Sequence, residues 1–77
     1  MKHSTEILQH IVEELAGASP ECSEEEHYYQ GINNPSTVTI TASVLVDGRK
    51  IARAFSSYDK ETSTQHALAR LIKALLD

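Results

Sequence analysis

The passage from Val38 to Ser57 restricts the fold of this chain more than any other. Reading back from Asp47-Gly48, the residues Val38, Ile40, Ala42, Val44 and Val46 alternate with Thr39, Thr41, Ser43 and Leu45. A period of two is the pattern of a half-buried strand, here apolar on one face and mostly hydroxylated on the other. Asp-Gly at its end is a strong hairpin signal, because a type I′ turn needs two central residues that tolerate positive φ. The chain therefore reverses and returns as a further strand with small residues at Ala52, Ala54 and Ser56. With a two-residue turn at positions 47 and 48, partners sum to 95, which pairs Val44 with Ile51, Ala42 with Arg53 and Ile40 with Phe55. The first and last of these pairs build core. Either Arg53 reaches solvent beyond the area the helices cover, or a bulge shifts the register; an arginine stem running to water is the simpler of the two.

Helical periodicity flanks this hairpin on both sides. Ile7, Leu8, Ile11, Val12 and Leu15 form one apolar stripe and predict a helix over about Ser4 to Ala16 that faces a core. Ser4 or Thr5 can cap it, and Gly17 followed by Ser19-Pro20 stops it. The acidic stretch Glu21 to Glu26 reads as a loop leading into a first strand at about His27 to Ile32, where Tyr28 and Tyr29 favour strand. Asn33-Asn34-Pro35-Ser36 is a turn by composition. Ala67, Leu68, Leu71, Ile72, Ala74 and Leu75 then predict a second helix over about Asp59 to Leu76, capped by Ser57 or Asp59. The order is α-β-β-β-α. In this α+β arrangement both helices must lie on one face of a three-stranded antiparallel sheet, since only then do all the apolar stripes find partners.

Seventy-seven residues suffice for one small domain and a single two-layer core. The lone cysteine, Cys22, excludes an intramolecular disulfide, so stability must come from packing, a partner or self-association, and a reducing cytoplasm is the expected setting. No apolar run approaches the roughly 20 residues needed to span a bilayer, and Met1-Lys2-His3-Ser4 lacks the apolar stretch of a signal peptide. Neither secretion nor membrane insertion is expected. Residues 1–31 hold seven acids against one base, and residues 32–77 six bases against four acids, so a net charge of −4 divides into −6 and +2. The first part repels a polyphosphate and the second attracts it weakly.

The element order, the short hairpin and the long last helix resemble the double-stranded RNA-binding domain over most of the chain. The resemblance is carried by Val44-Leu45-Val46-Asp47-Gly48-Arg49 and by Ala52, Ala54 and Ser56, where that family tends to have glycines. It implies three contacts with duplex RNA, made by shape, phosphate and 2′-hydroxyl recognition across about 16 base pairs. The first helix would offer Gln9 or Glu13 to a minor groove. The loop before the second strand would offer Ser36, beside Pro35, where the family has a histidine. The last helix would open with a lysine run that clamps phosphates, but the text here is Asp59-Lys60-Glu61-Thr62-Ser63. Only Lys60 keeps the charge; Asp59 and Ser63 take the other two lysine positions. Each lost phosphate contact removes roughly 0.9 from the salt slope on a duplex. An aspartate at that helix start also occupies the dipole end that would attract a phosphate.

Other chemistries fare worse. Cys22 and His27 lie five apart, with His3, His10 and His66 elsewhere, and no Cys-x-x-Cys or His-x3-His pair exists to hold structural zinc. His3 and His10 are expected in solvent, and His66 in a partly buried packing position. A Cys22-His27 nucleophile would sit in an acidic loop, where nearby carboxylates raise a thiol's pKa and so work against reactivity. No catalytic residue, metal, cofactor or small-molecule substrate is expected. Glu24-Glu25-Glu26 reads as a solvated loop, or as a docking patch for a basic partner. The third strand, returning from Asp47-Gly48, is a sheet edge, and its small residues let another backbone approach, while Arg49, Lys50 and Arg53 on the same strand discourage edge pairing. The expected function is a non-enzymatic module that contacts a protein partner or a second copy, with Ala52, Arg53, Ala54 and Ser56 as its edge. The alternative is weak nucleic-acid binding through Gln9, Ser36, Lys60, Arg70 and Lys73.

Overall fold

A computed structural model describes residues 2–27 and 36–77. The chain runs through α1 (Lys2–Ala16), β1 (Glu21–His27), β2 (Thr37–Val46), β3 (Arg49–Ser57) and α2 (Lys60–Leu76). The fold is α+β: the strands form one antiparallel sheet in the order β1-β2-β3, with β2 central. Asp47 and Gly48 join β2 to β3 with φ of 52° and 78°, the paired positive values of a type I′ turn. The register follows directly. Val44 lies opposite Ile51, Ala42 opposite Arg53 and Ile40 opposite Phe55, without a bulge, and Arg53 is exposed.

One face of the sheet carries the core. Ile40, Ala42 and Val44 of β2 are buried against Ala67, Leu68 and Leu71 of α2 and Val12 of α1, so both helices serve the same face. Ile72 and Leu75 pack half-buried around this centre. At the start of α2 the Asp59 carboxylate accepts from the Thr62 backbone N–H at 2.8 Å, which makes Asp59 the cap. Ser57 backs it, with its Oγ 3.2 Å from the Asp59 N–H. Ser63, wholly buried, donates to the Val38 carbonyl at 2.8 Å and shares a second bond with the Ser57 hydroxyl. One serine thus joins α2 to both β2 and β3.

Three expectations need correction. The acidic segment Glu21 to Glu26 is not a loop: it belongs to β1, Glu21–His27, paired with Ser43 through Thr37. Every residue of β1 is exposed, so its pairing rests on main-chain hydrogen bonds to β2, which strand propensity does not report. Charged side chains are a regular feature of such edge strands. Tyr28 to Ile32 and the turn residues Asn33, Asn34 and Pro35 lie outside the described residues; Ser36 is exposed and outside regular structure. Second, α1 begins at Lys2, which puts Ser4 and Thr5 inside it and not at its cap. Its far end is as expected, with Gly17 at φ 73° donating to the Glu13 carbonyl at 2.8 Å. Third, only part of the α1 stripe reaches the core. Val12 is buried and Leu8 and Ala16 pack half-buried, but Ile7, Ile11 and Leu15 remain exposed.

Candidate interaction surfaces

The stripe on α1 is wider than the surface available to cover it. Packed chiefly on α2, the helix spends Leu8, Val12 and Ala16 on the core. The remaining apolar residues, spaced by four, line up along the outer side of the helix. Ile7, Ile11 and Leu15 are 58%, 38% and 42% exposed and line one open groove with His10 and Glu14 at its margins. Single exposed apolar residues are ordinary, whereas a continuous row of large ones is the usual mark of a contact surface. Gln9 is half-buried on the same helix.

The β3 edge is differently furnished. In an antiparallel pair, residues alternate between turning both main-chain groups to the partner strand and turning both away. Counting from the closing pair Val46–Arg49, the residues that face the open edge are Lys50, Ala52, Ala54 and Ser56. The small residues therefore stand where a second backbone would pair. Two of their carbonyls are already taken. Arg53 Nη1 donates to the Ala52 oxygen at 2.7 Å, and Arg70 Nη1, reaching over from α2, donates to the Ala54 oxygen at 3.0 Å. The Arg70 guanidinium is held there by Phe55, whose ring centre lies 4.8 Å from its central carbon. His66 covers the same ring at 4.4 Å between centres, but is itself exposed and not partly buried as expected. Ser56 shares a hydrogen bond with Thr39 across the strands. Strand addition at β3 would have to displace both arginines.

The cations divide into groups. Arg53, Arg70 and Lys73 line one groove between β3 and the last turns of α2, together with Asp77. Lys60 stands at the other end of α2, where its Nζ lies 3.1 Å from a Glu24 carboxylate oxygen of β1. Beside it, the Asp59 carboxyl is held below its ordinary pKa, first by the Thr62 backbone N–H and next by the Thr62 hydroxyl. The corner that the resemblance assigns to phosphate therefore holds one cation already paired with a carboxylate, and an aspartate fixed as the helix cap. Ser63, at the third lysine position, is buried and twice bonded, so a long charged side chain has no room there.

Cys22 and His27 do not form a catalytic pair. They lie at opposite ends of β1 and, at odd separation along a strand, point to opposite faces of the sheet. Desolvation by its neighbours pushes the Cys22 thiol above its usual pKa. His27 Nε2 instead lies 3.3 Å from Glu25, and His10 Nδ1 3.7 Å from Glu13. Among the described residues, no three His, Cys, Asp or Glu side chains gather as a metal site would, and no helix is long and apolar enough to cross a membrane. No family model matches the chain, and no curated protein matches it.

Two features of these surfaces escaped the sequence reading. The exposed half of the α1 stripe was hidden because periodicity marks apolar residues without saying how many the fold covers. The convergence of Arg53 with Arg70 and Lys73 needs the tertiary approach of α2 to β3, although an arginine at a core-facing strand position was its one visible sign.

Proposed function

We propose that this chain is a non-enzymatic module, with an architecture like that of double-stranded RNA-binding domains, whose work is to contact protein. The observation that carries this reading is the exposed row Ile7, Ile11 and Leu15 on α1. Such a row offers anchors at helical spacing to an apolar partner surface. The pairing of Lys60 with Glu24 supports it by removing the last free charge from the expected phosphate clamp. The lone exposed cysteine suits a reducing compartment, and cytoplasmic residence is part of the proposal.

A duplex RNA of about 20 base pairs, titrated at about 50 mM salt, tests the reading from one side: tight binding that falls steeply with salt would overturn it. From the other side, Ile11→Glu should abolish any self-association of the purified chain that persists at about 0.5 M salt while leaving its far-ultraviolet circular dichroism unchanged. A contact indifferent to that charge would remove α1 from the proposal.

One observation favours a second reading, weak nucleic-acid binding. Arg53, Arg70 and Lys73 share a groove, and three neighbouring cations attract a polyanion better than scattered ones. Gln9 and Ser36 would contribute contacts elsewhere, and Lys60 only after leaving Glu24. Lys73→Glu should then weaken binding equally on all sequences and flatten its salt dependence; unchanged binding would end this reading.

A further inference from the structure

The two edges of the sheet carry opposite charge. β1 (Glu21–His27) has four glutamates and no lysine or arginine, while β3 (Arg49–Ser57) has Arg49, Lys50 and Arg53 and no acid. Arg70 and Lys73 of α2 add to the β3 edge, because they share the groove of Arg53; among the described residues that line it, Asp77 alone carries a carboxylate. The strand order β1-β2-β3 puts these charges at the two ends of one sheet.

Geometry sharpens the match. Cys22, Glu24 and Glu26 lie opposite Ala42, Ile40 and Val38, so their side chains belong to the helix side of the sheet. Arg53 lies opposite Ala42 on β2's other flank and belongs to the same side. β1 and β3 are each antiparallel to β2 and hence parallel to one another. A second copy displaced sideways and by two residues along the strands, without rotation, therefore brings its β1 alongside β3 with Glu24 level with Arg53, Glu26 level with Phe55, and the carboxylates and cations on the same side. Glu24 and Glu26, two residues apart on a strand, are separated by about 7 Å along it, a spacing that lets them meet different cations.

We propose that this chain associates head to tail, with Glu24 and Glu26 on β1 of one copy meeting Arg53, Arg70 and Lys73 at the β3 edge of the next. The arginines already hold the Ala52 and Ala54 carbonyls with one nitrogen each, and a guanidinium has further N–H donors for a carboxylate. The contact runs through side chains and leaves those bonds intact. Glu24 exchanges its exposed partner Lys60 for a cation of the next copy, at little cost for a surface pair. Symmetric edge contacts are disfavoured: β1 on β1 opposes glutamates, and β3 on β3 opposes arginine and lysine. Unlike edges give a heterologous contact that leaves one edge of each sort unfilled, so the product grows beyond a dimer. The surface differs from the α1 row, and either contact can exist without the other.

Sedimentation of the purified chain at about 1 mM, a concentration high enough to populate a weak contact, tests the proposal. At about 0.02 M salt the average mass should rise with concentration past that of two chains, and return to that of one chain at about 0.5 M. Glu24→Lys with Glu26→Lys should stay single, as should Arg53→Glu with Lys73→Glu. An equal mixture of these two variants should associate again, since each then meets its opposite; circular dichroism of each confirms its fold. A wild-type chain that stays single at low salt overturns the proposal, as does a mass that levels at two chains or a mixture that fails to associate. Association that ignores salt and both charge exchanges, but is lost in Ile11→Glu, overturns it while upholding the α1 contact. Duplex RNA binding that is tight and salt-steep would instead remove the protein-contact reading, leaving the edge contact to be judged by the mixture.

Discussion

The two helices look alike in sequence and behave differently in the fold. α2 buries Ala67, Leu68 and Leu71, is capped by Asp59 and is pinned by Ser63 to both β2 and β3. Among its described side chains α1 buries Val12 alone; it lies chiefly against α2 and leaves Ile7, Ile11 and Leu15 exposed. The strands follow the same division. β2 and β3 share a nine-pair register under α2, whereas β1 is exposed along its whole length. One half of the molecule holds the fold, and the other has surface to offer.

The largest effect should separate the two stripes. Leu68→Ala opens a cavity in a fully buried site and should cost about 2–5 kcal/mol, a large share of what so small a domain has. Ile7→Ala removes a comparable side chain from α1 and should stay within about 0.5 kcal/mol. Urea denaturation of both variants reads the difference; similar losses would mean that the outer face of α1 is covered after all. Ser63→Ala comes next. It strips the Val38 carbonyl and the Ser57 hydroxyl of a partner at a buried joint and should cost about 1–3 kcal/mol. Ser23→Ala on exposed β1 should change nothing measurable by the same assay.

The hairpin was legible because its signals are local. Asp47-Gly48 specifies the turn, the turn specifies the register, and Val38 to Val46 specify which face is buried. The helices were legible as helices for the same reason. Where the reading failed, the decisive interactions were distant in sequence. Glu21 to Glu26 form a strand because β2 offers a free edge of main-chain groups, a fact that no property of the acidic segment announces. The candidate sites divide likewise. The loss of charge at Asp59 and Ser63 was plain in the sequence, but the reason Ser63 excludes lysine is its burial between three elements. The blocking of the Ala52 and Ala54 carbonyls needs Arg70, sixteen residues further along the chain than Ala54, to fold back over Phe55.

Two exposed cations carry the comparison to a smaller scale. Arg70 stacks on Phe55 and bonds the Ala54 carbonyl, so Arg70→Ala should cost about 0.5–1 kcal/mol and speed hydrogen exchange in β3. Lys60 makes one exposed pair with Glu24, and Lys60→Ala should be near neutral, within about 0.5 kcal/mol. Equal effects would mean that the β3 edge is no better secured than the corner at the start of α2.

The smallest effect concerns Asp59 and acid. Its carboxyl sits below the ordinary value of 3.8 because the folded chain gives the anion two donors, the Thr62 N–H and hydroxyl. A folded pKa below the unfolded one means that the unfolded chain binds the proton more readily. The stabilisation is therefore complete above the unfolded value, and it is lost as pH falls from there through the lower, folded value. Asp59→Asn keeps a good capping side chain but cannot titrate, so it should nearly match the parent at pH 7 and lose less on acidification to about pH 3. Urea midpoints of the two proteins across that range supply the test. Parallel acid profiles would show that the cap is held by geometry alone, and would remove the charge of Asp59 from what secures α2.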